Sequence, residues 1–356
     1  MQDRKMYPSL DIVKFIMALL ILMQHTANEW AHSTGLVHAF FGLGNFAVPF
    51  FFACSGFLFF SKFNTLDNRG QKDYYRKWSI RIGKMYLVWS LIYFCFVFAG
   101  WVDRGLSWGQ PAQYFHRALV FSTYATIWFL PALWIGVSIV YWMRRHCIKA
   151  VFWTTVIVLL IVGNLFGSYS NVMTHNDVVK SVYDWYMDVF ITWRNGLFNA
   201  VPYIAIGLLL ADDGLNKISI RVSLPLTVLF CGAFIIEAFC ITRFHFSTAT
   251  DMGFMMYPAI FFMMHSLILW RWVKPRPIWI HCRNLSMLIF LSQRLFLSAI
   301  PGVLPDRVSE CIKAWPEPYI YLFFAVVVLC FSITVERLSA KYGFLKILWC
   351  LNSAAF

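Results

Sequence analysis

The sequence predicts an all-α protein, a polytopic integral membrane bundle of about ten transmembrane helices with both termini on the cytoplasmic side. Three observations predict it. The 356 residues are 60% hydrophobic and only 13% charged, against about 25% charged in a typical soluble domain, so most of the chain cannot face water. Apolar stretches of about 18 residues or more, each able to cross roughly 30 Å of hydrocarbon as a helix, recur along the whole length. Lys and Arg alternate between the connecting segments in the way that fixes orientation in a bilayer.

Hydropathy places the spans at roughly 8–28, 41–61, 79–101, 124–143, 149–168, 193–211, 221–242, 252–272, 284–303 and 318–338. The first carries Lys14 and lacks an Ala-x-Ala type cleavage site, which makes it a retained signal anchor. The second and third flank a basic connection of Lys62, Arg69, Lys72, Arg76, Lys77, Arg81 and Lys84. Basic segments recur after the fourth span (Arg144, Arg145, Lys149), the sixth (Lys217, Arg221), the eighth (Arg271, Lys274, Arg276, Arg283) and the tenth (Arg337, Lys341, Lys346). With Arg4 and Lys5, these segments hold 21 of the 30 cations; the opposite loops hold 7, and Lys14 and Arg294 lie within spans. The positive-inside rule then puts the basic side in the cytoplasm.

The longest soluble segment is the loop from Ser168 to Trp193, on the external side. No repeat, low-complexity tract or long linker divides the chain, so a single domain, 1–356, is expected. The formal charge of +13 is read as topology signal and not as a nucleic-acid surface. The nine cysteines show no CxxC or other metal-ligand spacing, so no metal is expected, and those within spans suit apolar packing. Trp30, Trp101, Trp142 and Trp270 stand at span ends, where interfacial anchoring accounts for them.

The first span reads SLDIVKFIMALLILMQH, with Asp11 and Lys14 near its cytoplasmic end and His25 near its outer end. A Lys or Asp at mid-bilayer costs about 2.5 to 3.5 kcal/mol, so these groups should face the protein interior or a wet cavity. Lys14 and His25 are eleven residues apart, about 16 Å along a helix and about 20° from eclipsed, so they share a face. Two readings stand side by side. In one this face serves chemistry; in the other Lys14 pairs with Asp11 and His25 is an interfacial polar residue.

Lys14, ten intervening residues and His25, preceded by Leu10 and Asp11, resemble the Arg-x10-His signature at the start of membrane-bound acyltransferase family 3. The resemblance continues through AVPFFFACSGFLFFSKF (Ala47 to Phe63), YYRKWSIRIGKMYLVWSLIY (Tyr74 to Tyr93), IWFLPAL (Ile127 to Leu133) and RNGLF (Arg194 to Phe198) with Pro202 and Gly207. It ends with Glu237, Asp251, Met252 and Pro258. The chain departs from the family in three places. Lys14 replaces the usual Arg and loses its bidentate fork; Thr126 and the Gln293-Arg294 pair stand where histidines are common.

The resemblance implies transfer of an acyl group, commonly acetyl from cytoplasmic acetyl-CoA or another acyl-CoA, to a hydroxyl of an extracytoplasmic glycan or lipid-linked sugar. It also implies a bacterial cytoplasmic membrane. His25 is the candidate catalyst, as general base or covalent acyl carrier, with Lys14 and Asp11 on its helix. Arg194 or Asn195 would stabilise the oxyanion. Glu237 is either part of the machinery or a counter-ion for Arg294 or Arg194, and Glu29 either orients the His25 ring or is solvated. Trp128, Thr126, Asp251, Ser55, Gln293 and Arg294 are candidate substrate-lining residues. Arg76, Lys77, Arg81 and Lys84 would meet the phosphates of CoA or, in the plainer reading, membrane lipid headgroups. His265 is expected to hydrogen-bond between helices. The competing function is a transporter or exporter of a polar or lipid-linked solute, since buried charges also mark transport pathways.

Overall fold

A computed structural model describes residues 7–31, 42–212, 218–247, 252–270 and 273–349. Among these residues every regular element is helical. Helix α1 (Pro8–Thr26) starts on a proline, whose fixed φ and missing N–H suit a helical first position. It runs into a widened π turn, Ala27–Ala31. A 3-10 turn, Gly42–Phe46, leads into α2 (Ala47–Phe63), and α3 (Asn68–Asp103) is a 36-residue helix. Then follow α4 (Gly109–Val120), α5 (Phe129–His146), α6 (Lys149–Gly167), α7 (Asp177–Phe190), α8 (Val201–Ala211), α9 (Ile220–Arg243), α10 (Met256–Leu269), α11 (Pro277–Arg294), α12 (Asp306–Lys313) and α13 (Glu317–Lys341).

Among the described residues, seven helical segments are long and apolar enough to cross a membrane: Pro8–Ala31, Gly42–Phe63, Asn68–Asp103, Thr126–His146, Lys149–Gly167, Ile220–Arg243 and Glu317–Lys341. The chain is a multi-pass membrane protein. The other three expected spans fall on helices that are short, Gly196–Ala211 and Met256–Leu269, or, in α11, interrupted by His281, Arg283, Asn284, Gln293 and Arg294. Only 11% of the most apolar window in α9 is buried within the protein, and Val228, Leu229, Ile236 and Phe239 stand exposed on it. In a bilayer such a surface is solvated by lipid tails, so exposed apolar side chains carry no penalty there.

The chain divides into two compact units, with the division falling inside α3 and at the start of α5. The first unit comprises Met1–Ala47, Trp78–Leu130 and Lys274–Phe356. In it α1 packs most extensively against α11, and α13 packs against both. The Gly42–Phe46 turn lies so close to α1 that a Cβ on Gly44 would sit 3.1 Å from the Leu20 carbonyl oxygen. Buried tyrosine and tryptophan side chains tie elements together through backbone carbonyls. Tyr93 Oη donates to Leu291 O (2.7 Å), Trp89 Nε1 to Leu348 O (2.9 Å) and Trp30 Nε1 to Leu297 O (2.8 Å). Trp30 is 5% exposed and its ring meets Phe324 at 4.8 Å. It is a core residue and not the interfacial anchor its place near a span end suggested.

The second unit comprises Val48–Lys77 and Pro131–Val273. Its α9 and α10 pair through a polar seam: His265 Nδ1 lies 2.9 Å from Ser223 Oγ, which also meets Ser266 Oγ at 2.8 Å. His265 is thus the interhelical hydrogen bonder expected. Helices α2 and α8 touch backbone to backbone, since a Cβ on Gly207 would lie 2.3 Å from Ala53 O and 2.5 Å from Phe57 N. Tyr75 stacks on Tyr141 at 4.3 Å and donates to Ser138 Oγ (2.8 Å). Arg144 pairs with Asp212 at 2.9 Å and lies over the rings of Phe60 and Phe63.

Candidate functional site

On α1, Lys14 Nζ lies 3.3 Å from Asp11 Oδ1, and both side chains are largely buried. A three-residue helical spacing places such groups side by side. The pair neutralises the two charges within the first unit. The helix is continuous from Pro8 to Thr26, so His25 keeps the angular relation to Lys14 read from the sequence.

His25 is held from across the unit. Arg294, the last residue of α11, places Nη2 3.1 Å from His25 Nδ1. Its Nη1 donates to Glu29 Oε1 in an ion pair. The side chains of Arg294 and Glu29 are 20% and 26% exposed. Glu29 therefore reaches the imidazole through a guanidinium, where its spacing had left open either orienting the ring or being solvated. Its place in the Ala27–Ala31 π turn removes it from the regular four-residue register with His25. The carboxylate partner of Arg294 is Glu29 and not Glu237.

Buried polar atoms gather on the same stretch of α11. Among the described residues, Ser292 Oγ, Gln293 Oε1 and Arg294 Nε have no hydrogen-bond partner, and Thr126 Oγ1 is in the same condition. Gln293 is fully buried and uses its amide nitrogen on Phe290 O (3.0 Å). The Thr126–Trp128 turn packs against α11. Trp128 is buried and stacks on Phe121 at 5.9 Å. Tyr124 stacks on Tyr93 at 4.3 Å and its hydroxyl lies 3.3 Å from Ser298 Oγ. Unsatisfied polar atoms in an apolar bundle each cost about 1 to 3 kcal/mol unless water or a ligand meets them. Thr126, Gln293 and Arg294 thus belong to one polar region with His25.

Arg194, Asn195, Glu237 and Ser55 belong to the second unit. Asn195 is committed to local structure. Its Oδ1 accepts from the N–H groups of Leu197 (2.9 Å) and Phe198 (3.1 Å), and its Nδ2 donates to Tyr186 Oη (2.6 Å) and Thr192 O (3.2 Å). It caps the turn that opens the short helix to α8, and both amide hydrogens expected for an oxyanion are spent. Glu237 is committed likewise, accepting from Tyr169 Oη (2.7 Å) and from the N–H groups of Phe254 and Met255 (2.8 Å each). Burial first, and the Glu237 carboxylate second, push the Tyr169 phenol above its ordinary range. Arg194 is exposed and Ser55 half-buried on α2. Asp251 lies outside the described residues. Arg76, Lys77, Arg81 and Lys84 all lie on α3; Arg76, Lys77 and Lys84 are exposed and Arg81 is half-buried.

Among the described residues there are three π turns: Ala27–Ala31, Gly196–Ala200 and Leu295–Ala299. They begin two residues after His25, directly after Asn195 and directly after Arg294. An inserted residue widens a helix and redirects the side chains and carbonyls on either side, which is why such turns gather at functional sites. Leu297 O, inside one of them, is the carbonyl that accepts from Trp30. Nothing in the apolar runs signals these turns.

The architecture defines a multi-pass membrane protein in which an imidazole, a guanidinium and a carboxylate meet beside buried polar groups. The acyltransferase domain model of acyltransferase family 3 matches residues 7–337. The chain belongs to that family. The match runs through both units. A curated relative, an amino-acid racemase of Enterococcus faecalis, is 24% identical over 283 residues, covering 76% of this chain and 37% of that protein. The chain thus spans little more than a third of that relative's length. No solved structure matches the chain.

Proposed function

We propose that this protein is an O-acyltransferase of a bacterial cytoplasmic membrane. It moves an acyl group, acetyl in the simplest case, from cytoplasmic acyl-CoA to a hydroxyl of an extracytoplasmic glycan or lipid-linked sugar. The observation that carries the reading is His25 held by the Arg294–Glu29 pair in a membrane-spanning unit, with Thr126 and Gln293 offering buried polar atoms. Ionisable groups at membrane depth are costly enough that function is the default explanation for them. Family membership supplies the reaction class.

Transfer from a thioester to a hydroxyl removes a proton from the hydroxyl and builds negative charge on the acyl oxygen. His25 serves as base or as acyl carrier. Asn195 does not serve as the oxyanion partner, because its amide hydrogens are occupied. The exposed cations on α3 take the phosphates of CoA from the cytoplasmic side, on a topology of about ten spans with both termini inside. Membranes containing the protein should transfer radiolabel from acetyl-CoA to an endogenous acceptor, and mass spectrometry of surface glycans should find the ester missing in a deletion strain. His25→Ala should abolish both signals, a loss of at least about a hundredfold if the imidazole performs proton transfer. Full transfer by His25→Ala removes His25 from the reaction.

A further inference from the structure

The contacts from Glu29 through Arg294 to His25 carry information about the imidazole that the family assignment does not. A guanidinium has five N–H donors, accepts nothing and stays charged. The nitrogen it meets at 3.1 Å, His25 Nδ1, must therefore present a lone pair. A neutral ring with its lone pair at Nδ1 bears its proton on Nε2. We infer that Arg294, clamped by Glu29, is a positioning residue that fixes the tautomer of His25 with the lone pair on Nδ1 and the proton on Nε2.

The polarity is the reverse of an Asp–His pair, in which a carboxylate accepts from Nδ1–H and leaves Nε2 with the lone pair. Here the carboxylate acts on the guanidinium. Glu29 supplies the counter-charge that keeps Arg294 within the bundle, because an unpaired cation there would be strongly unfavourable. Glu29 lies within one π turn and Arg294 immediately before another. The consequence, which rests on His25 being the reacting imidazole of the proposed acyltransferase, concerns the order of events. The lone pair needed to take a proton or an acyl group lies under the Arg294 guanidinium, so reaction at His25 begins with Arg294 leaving Nδ1.

The test is 15N NMR of the full-length protein, labelled at histidine and held in lipid nanodiscs, with His25 assigned by difference against His25→Ala. The inference expects an unprotonated Nδ1 and a protonated Nε2 in the native protein. Arg294→Met should release the bias and give both tautomers, while Arg294→Lys, which still donates, should keep it. A native ring protonated at Nδ1 overturns the inference, as does an Arg294→Met spectrum identical to the native one. In the acyl-transfer assay, Arg294→Met should change kcat while KM for acyl-CoA changes less than about twofold, and Arg294→Lys should stay nearer the native rate. A purely structural role would instead lower the amount of active protein equally for both variants. Absence of acyl transfer by the native protein would refute the function proposed above, and the tautomer would still be decided by the spectrum.

Discussion

Glu237 meets three donors where α10 begins: the Tyr169 hydroxyl and the backbone N–H groups of Phe254 and Met255. The first turn of a helix leaves N–H groups without partners, and a carboxylate placed there satisfies them and complements the helix dipole. Supplied from α9, it acts as a cap across two helices. Glu237→Ala should destabilise the protein by about 2 to 3 kcal/mol, since buried donors lose their acceptor. Glu237→Gln, which keeps one acceptor oxygen, should cost less. Thermal unfolding in detergent reads both, and an alanine variant as stable as the native protein would refute the capping role. The same scale shows why some partners could be read in advance. Lys14 and Asp11 are three residues apart, and a helix alone brings them together. Arg294 lies 269 residues from His25, and no local rule connects them. Asn195 and Glu237 were attractive by residue type, but backbone donors decided how they are used.

At the scale of elements, close approach is set by glycine. A Cβ on Gly207 or Gly56 would fall within 2.3 to 3.0 Å of backbone atoms of the facing helix, so α2 and α8 have no room for a methyl group between them. Small residues permit this backbone contact, which drives helix association in lipid where the hydrophobic effect is absent. Gly207→Ala should therefore destabilise by about 1 to 3 kcal/mol as the helices are forced apart. Gly232, on α9, has nothing within 4 Å of its Cβ position, and Gly232→Ala should be neutral or stabilising by up to ~1 kcal/mol. Unfolding titrations of both variants check the contrast, and equal effects would remove the packing argument. Helix existence was plain from apolar runs, but the π turns were not, because inserting one residue changes no composition.

For the whole molecule, the charge distribution makes a topological prediction. In a cysteine-free background, Asp177→Cys on α7 should react with a membrane-impermeant maleimide in intact cells, and Asn68→Cys at the start of α3 only after permeabilisation. Both positions are exposed. The opposite pattern would invert the orientation and place the α3 cations outside, away from cytoplasmic acyl-CoA. The sequence by itself determined that this is a helical membrane protein, because transfer of apolar side chains into hydrocarbon is a sum over residues that needs no knowledge of neighbours. It also carried the family, through blocks whose order survives along the chain. Tertiary structure alone decided that Arg294 meets His25, that Glu29 meets Arg294, and that Glu237 serves the backbone donors of another helix. Those outcomes are set by distance and direction between side chains far apart in the chain, and such geometry exists only once the helices have packed.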